Sequence, residues 1–263
     1  MGKLMRRTIL IISAFAMCTL LLEAQVNTYR PGEKIEYIIH YGPVTGGVAT
    51  LELKSTSLGD SEVWHSRMEA RTVGITDAFF KVVDIYEVYM NPTTQLPVRS
   101  VRNVREGRYR KYNVVDFDHD TRKDSAILTS DLTGKHVTPP GIHDIISCFY
   151  FFRNNVLTSE TALEIGKTYT IMTWFTDELY PIILRYKGIE EVKTKMGRIS
   201  CYKFNPVTEV GRLFKTEEDM SFWFSADKNF LPVKIRFDIF VGSFNVEMVS
   251  YSGLIHPLGI IKK

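Results

Sequence analysis

Cysteine is scarce in this chain. Three occur in 263 residues, none spaced as Cys-x-x-Cys. That excludes a zinc ribbon, a thioredoxin-type redox motif and a disulfide-stapled small scaffold. Catalytic signatures are missing as well. There is no His-Glu-x-x-His, no Gly-x-Ser-x-Gly and no phosphate-binding glycine loop, so the sequence implies no cofactor and no metal. Nor is there a strong excess of one charge. The net charge is +3, and residues 1–24 supply +2 of it through Lys3, Arg6 and Arg7 against Glu23. A remainder near +1 argues against a general nucleic-acid binder. Long apolar runs are absent after residue 24, which argues against further membrane-spanning helices.

What remains is an ordinary globular composition, 44% hydrophobic and 24% charged. Such a chain buries enough surface to fold unstapled, and it is neither disordered nor collagen-like. Its N-terminus reads as an export signal. The basic head is followed by an apolar run from Ile9 to Leu22 and then Leu22-Glu23-Ala24. A core of about 14 residues is short for a membrane span and fits a signal peptide cut near Ala24. The alternative is an uncleaved anchor. Lipidation at Cys18 is disfavoured by the bulky Phe15 and Met17 before it. The expected address is the periplasm. Cys148 and Cys201 stand among apolar neighbours and are expected as buried thiols, with a bridge as the alternative.

Period-two alternation dominates the rest. Ile35, Tyr37, Ile39 and Tyr41 alternate with polar residues, as do Ala49, Leu51 and Leu53, and Val233, Ile235, Phe237 and Ile239. This is the pattern of half-buried antiparallel strands. The two halves also resemble each other. Gly32 and Gly166, Phe80-Lys81 and Phe214-Lys215, Asp84 and Asp219, Leu96-Pro97-Val98 and Leu231-Pro232-Val233, and Gly107 and Gly242 recur in order at separations of 134 or 135. Each Leu-Pro-Val should open a strand after a turn, because proline brings no ladder donor. Six strands per half are predicted: 33–41, 47–56, 62–72, 79–90, 96–105 and 108–117, then 167–175, 182–190, 198–207, 213–225, 231–240 and 244–252. The fold class is therefore all-β, mainly antiparallel. Two related six-stranded halves (about 29–120 and 163–255) form one curved barrel-like or sandwich structure within a single domain, 25–263. One apolar helix between the halves is predicted within 139–157, with Ile142, Ile145, Ile146, Phe149, Tyr150 and Phe152 on a helical stripe. It is expected to plug the β-structure, or to act as a lid over an apolar pocket.

Candidate chemistry is thin. His143, Asp144 and Ser147 open the helix; Asp144 and Ser147 share a face, whereas His143 and Asp144 diverge by about 100°. Asp116, Asp118 and Asp120 begin like a calcium loop, but Thr121 and Ile127 occupy the turn-glycine and closing-glutamate positions. Arg99, Arg102, Arg105, Arg108, Arg110 and Lys111 crowd one hairpin against Glu106 alone. Such a cluster needs anions: Glu217, Glu218 and Asp219 of the other half, or phosphates and acidic sugars of the envelope.

Several stretches resemble a known family. They are Tyr29-Arg30-Pro31-Gly32-Glu33-Lys34-Ile35-Glu36-Tyr37, Phe79-Phe80-Lys81-Val82-Val83-Asp84, Leu96-Pro97-Val98-Arg99 with Asn103 to Gly107, Asp144 to Tyr150, and Lys193 to Phe204. Their order is similar to that of the exported bacterial family catalogued as domain of unknown function 3108. The resemblance implies an exported, mostly β envelope protein and transfers no catalytic residues.

The leading expectation is a non-catalytic binding module for an apolar or amphipathic ligand, such as a lipid. Tyr37, Tyr86, Phe149, Phe152, Phe222 and Phe237 would hold it. The alternatives are a scaffold whose basic hairpin meets an anionic envelope polymer, and a hydrolase with a loop-built site. Peripheral membrane association fits the first two.

Overall fold

The computed structural model describes residues 27–158, 163–207, 219–238 and 242–261. The export segment lies outside these residues, as do Phe214, Lys215, Glu217 and Glu218.

The alternating runs form strands. In the first half these are β1 (Lys34–Tyr41), β2 (Val44–Leu58), β3 (Ser61–Thr72), β4 (Val83–Met90), β5 (Pro97–Glu106) and β6 (Tyr109–Asp118), followed by the short β7 (Ala126–Ser130) and β8 (Gly134–Thr138). The second half carries β9 (Thr168–Phe175), β10 (Glu178–Thr194), β11 (Gly197–Pro206), β12 (Met220–Ser225), β13 (Pro232–Asp238), β14 (Ser243–Ser252) and the two-residue β15 (Ile260–Ile261). They make one antiparallel sheet in the order β8-β7-β6-β5-β4-β3-β2-β1-β14-β13-β12-β11-β10-β9, with β15 on β11. Within β1–β8 and within β9–β14, neighbours in sequence are neighbours in space; the two runs join where β1 meets β14, from Lys34↔Ser252 to Tyr41↔Phe244.

Equivalent turns of the two halves use the same bonds. Gly32 N–H donates to Leu53 O at 2.7 Å, and Gly166 N–H to Tyr186 O at 2.8 Å. Both glycines hold left-handed φ, +100° and +89°, which a side chain would resist. Pro97 and Pro232 begin β5 and β13 and face Met90 and Phe224 across register shifts. These are the bulges and strand starts where a missing N–H costs nothing.

The sheet curls into a barrel-like body, but its ends do not join by a ladder. At this second seam Trp174 of β9 packs with Val115, Phe117 and Leu128 of β6 and β7. The ring of His136 on β8 lies 4.8 Å from that of Trp174. One parallel bridge, His143 to Thr173, spans the gap.

The connecting helix is shorter than expected. α1 (Gly74–Phe79) is an unpredicted six-residue helix, and α2 (Ser147–Phe151) is the apolar one, running on as a π turn over Phe152–Val156. Ile142 to Ile146 are not helical. Here His143 N–H donates to Met172 O, and Trp174 N–H donates to His143 O. The backbone is committed to the β9 edge. α2 lies inside the curled sheet. Ile146 and Tyr150 join the core lined by Ile35, Leu53, Val88 and Met248, while Cys148 and Phe152 join Ile171, Leu184, Phe204 and Phe224. It is a plug.

Candidate functional site

A cavity of about 280 Å³ remains between α2 and the sheet. Tyr37, Ala49, Leu51 and Met68 wall one side, and Ile171, Ile182, Leu184, Phe222, Phe224, Ile235 and Val246 the other, with Ile145, Ile146, Cys148, Phe149 and Phe152 as its floor. Strand alternation explains the wall: the residues facing inward are the apolar set of each strand. Carboxylates and amines are absent from the lining. The Cys148 thiol is a free, buried thiol, and burial pushes its pKa up, so it stays protonated and unreactive. Burial also raises the Tyr37 hydroxyl well above its usual value, and this hydroxyl has no hydrogen-bond partner among the described residues.

The floor is fixed at the end of the barrel where β1 begins. Arg153 is wholly buried and meets Glu33 through two contacts, Nη1 to Oε1 at 2.5 Å and Nη2 to Oε2 at 2.9 Å. Its Nε and Nη2 also donate to Asn229 O, and Nη2 to Thr28 O. The guanidinium lies 5.2 Å from the Tyr29 ring. Next to it, Asn154 Oδ1 accepts from Thr28 N–H and hydroxyl, and its Nδ2 donates to Gln95 Oε1. Sequence reasoning missed this cluster. Glu33 and Arg153 stand 120 residues apart, and no spacing rule connects them.

Of the six aromatic candidates, Tyr37, Phe149, Phe152 and Phe222 meet around the cavity. Tyr86 lines a separate small recess with Arg102 and Trp174, and Phe237 pairs with Met220 and Phe244. The basic hairpin is divided. Arg99 pairs with Asp116 at 2.5 Å. Arg102 turns inward, over the Phe175 ring at 5.4 Å. Arg105, Arg108 and Arg110 stand exposed at the hairpin tip, and Lys111 is half-buried.

The helix-opening trio forms a closed turn. Ser147 N–H donates to Asp144 Oδ1 at 2.8 Å and Asp144 N–H to Ser147 Oγ at 3.0 Å, the reciprocal pattern of a capping box. His143 Nδ1 is 3.2 Å from Ser147 Oγ. His143 thus reaches Ser147, while no side-chain bond between His143 and Asp144 is found among the described residues, in keeping with the divergence expected of adjacent residues. Ser147 is fully buried, so no substrate reaches it in this conformation. Burial lowers His143 to about 4 and raises Asp144. Asp118 accepts N–H from Asp120 and Thr121, as an ordinary turn residue. Among the described residues no three His, Cys, Asp or Glu converge as a metal site, and no helix is long and apolar enough to cross a membrane.

The family model described as "Protein of unknown function (DUF3108)" matches residues 36–249. The chain belongs to the DUF3108 family. No curated protein matches it. Among solved structures it resembles a beta-barrel-like protein of domain of unknown function DUF1849 from Brucella abortus. The TM-score is 0.57 at 8% identity, over 85% of this chain and 98% of that one. A DUF1089 family protein from Pseudomonas aeruginosa aligns over 82% of this chain and 94% of that one, at 11% identity, with a TM-score of 0.40. The Brucella likeness agrees with the barrel-like fold of this DUF3108 member and speaks to fold alone.

Proposed function

We propose that this DUF3108 protein is an exported, non-catalytic binding module that holds an apolar or amphipathic ligand between α2 and the sheet. The observation that carries this reading is the cavity itself. An interior built only to be stable would be packed to crystal-like density; this one keeps about 280 Å³ open and apolar, near the lower size of ligand pockets. The basic head and short apolar core of residues 1–24 support export to the periplasm.

The test is native mass spectrometry of protein purified from the cell envelope, followed by titration with a fluorescent fatty-acid analogue. A bound amphiphile, or saturable uptake of the analogue, is expected. Ala49→Phe should fill the cavity and weaken uptake at least about tenfold, the loss of roughly 1.4 kcal/mol, with the fold retained by circular dichroism. Absence of both bound species and uptake in the wild-type protein overturns the proposal.

A further inference from the structure

A second apolar cavity, of about 390 Å³, lies beyond the first. The lining passes from Tyr37 to Ile39 and Tyr41 on β1, from Ala49 to Gly47 on β2, from Met68 to Ala70 on β3, and from Val246 to Phe244 on β14. Residues two apart share a face of a strand. The two cavities therefore follow one another along one inner wall, toward the end of the barrel opposite the Arg153 cluster.

Apolar side chains stand in water around that end. Phe79 is 85% exposed, Ile75 66% and Phe80 54%, and Tyr41, Val44, Tyr109 and Phe244 are exposed as well. α1, which carries Ile75 and Phe79, has no buried residue at all. Exposed apolar side chains gathered at one end of a fold mark an interaction surface.

The basic hairpin tip is bound to the same patch. Gly107 N–H donates to Lys81 O at 2.8 Å. The Phe80 ring lies so close to Gly107 that an added Cβ would come within 2.7 Å of it. Arg105, Arg108 and Arg110 surround this contact without a carboxylate partner among the described residues: Arg105 Nε reaches only Asn103, and Arg110 only the carbonyls of Gly107 and Tyr109. Two carboxylates share this tip without an ion pair to any of the three guanidiniums: Glu106 lies against Asp84, and Asp84 Oδ1 accepts the Arg105 backbone N–H at 3.0 Å.

We propose that this rim docks on an anionic lipid bilayer, with Ile75, Phe79 and Phe80 entering the interface and Arg105, Arg108 and Arg110 on the headgroup phosphates. An anionic polymer would leave Phe79 and Ile75 in water, and an uncharged apolar partner would leave three guanidiniums unmatched. A lipid surface satisfies both, because apolar side chains enter the acyl boundary while cations meet phosphates. Docking in this orientation sets the outer cavity against the acyl chains. In that one respect the inference rests on the ligand-binding reading; the docking itself does not.

The experiment is flotation of the mature protein with vesicles of phosphatidylglycerol and phosphatidylethanolamine, against vesicles of phosphatidylcholine alone. Association with the anionic vesicles is expected, weakened by salt. It should fall about tenfold or more in Ile75→Ser/Phe79→Ser and in Arg108→Glu/Arg110→Glu. Phe80 is left intact because it packs on Gly107. Both variants change exposed side chains and should keep the wild-type melting curve; if either does not, the single Phe79→Ser replaces it in the same comparison. Absence of flotation, equal flotation of the variants, or stronger binding to a soluble polyanion that survives Phe79→Ser overturns the docking. So does a dimer in light scattering that Phe79→Ser dissolves, with no vesicle association. Uptake of the fluorescent fatty-acid analogue is measured on the same samples. Uptake without flotation removes the docking and leaves the cavity reading standing; flotation without uptake does the reverse.

Discussion

Arg153 has no exposed surface, and all three of its nitrogens are bonded. A guanidinium taken out of water is tolerable only when charge and donors are both matched, and here Glu33 and the carbonyls of Thr28 and Asn229 match them. Arg153→Met leaves Glu33 buried without its cation and should cost about 3–5 kcal/mol, read as a lower urea midpoint. Adding Glu33→Gln removes the stranded charge and should recover part of the loss. Equal midpoints for the single and double variants would show that the pair is not what holds α2 down. Cys148 and Cys201 are separate free thiols, as their apolar neighbours foretold, and burial pushes Cys201 up to about 12.

At the level of elements, the turn into α2 carries a pH dependence. His143 is held to about 4 by burial, against about 6.5 in an unfolded chain. Between those values the unfolded chain binds a proton that the native one refuses. Stability therefore falls as pH drops through that window, by at most about 1.4 kcal/mol per unit. Asp144, raised by burial, takes its proton more readily when folded and offsets part of the fall. His143→Gln should flatten the decline of the urea midpoint between pH 6.5 and 4; parallel declines in the two proteins would refute the buried neutral imidazole. A strand is found within each of the twelve expected ranges, because each shows one apolar face or a turn residue at its end; that of 79–90 begins only at Val83, after α1, and residues 213–218 and 239–240 lie outside the described residues. β7 was illegible: Ala126, Ile127 and Leu128 are all buried, and a strand covered on both faces does not alternate. α2 was read too long because Ile142, Ile145 and Ile146 keep helical spacing while serving different partners, Ile142 at the second seam and Ile146 in the central core. The cavity was half legible. Inward aromatics can be read from period two, but whether they fill the space between them depends on the path of α2.

Across the whole molecule the two seams differ. The one between β1 and β14 is a full ladder, while β8 and β9 share no ladder: β9 is held there by side-chain packing and by one bridge from Thr173 to His143 in the connector after β8. Openings start where backbone bonds are fewest. Native-state hydrogen exchange should release the amides of Gly134–Thr138 well before those of Lys34–Tyr41; equal protection would mean that the lapped edge is as tight as the ladder. The complete ladder has a cost in time. Glu36 finds Ser250, a residue 214 positions later, so β1 gains its second neighbour only after nearly all the other strands have been made. On the ribosome, the nascent chain must carry β1 with a raw, uncovered border until the last long strand emerges. Pairings this distant also slow the search for the native state, and a chaperone that shields Lys34–Tyr41 in the meantime would have a defined target.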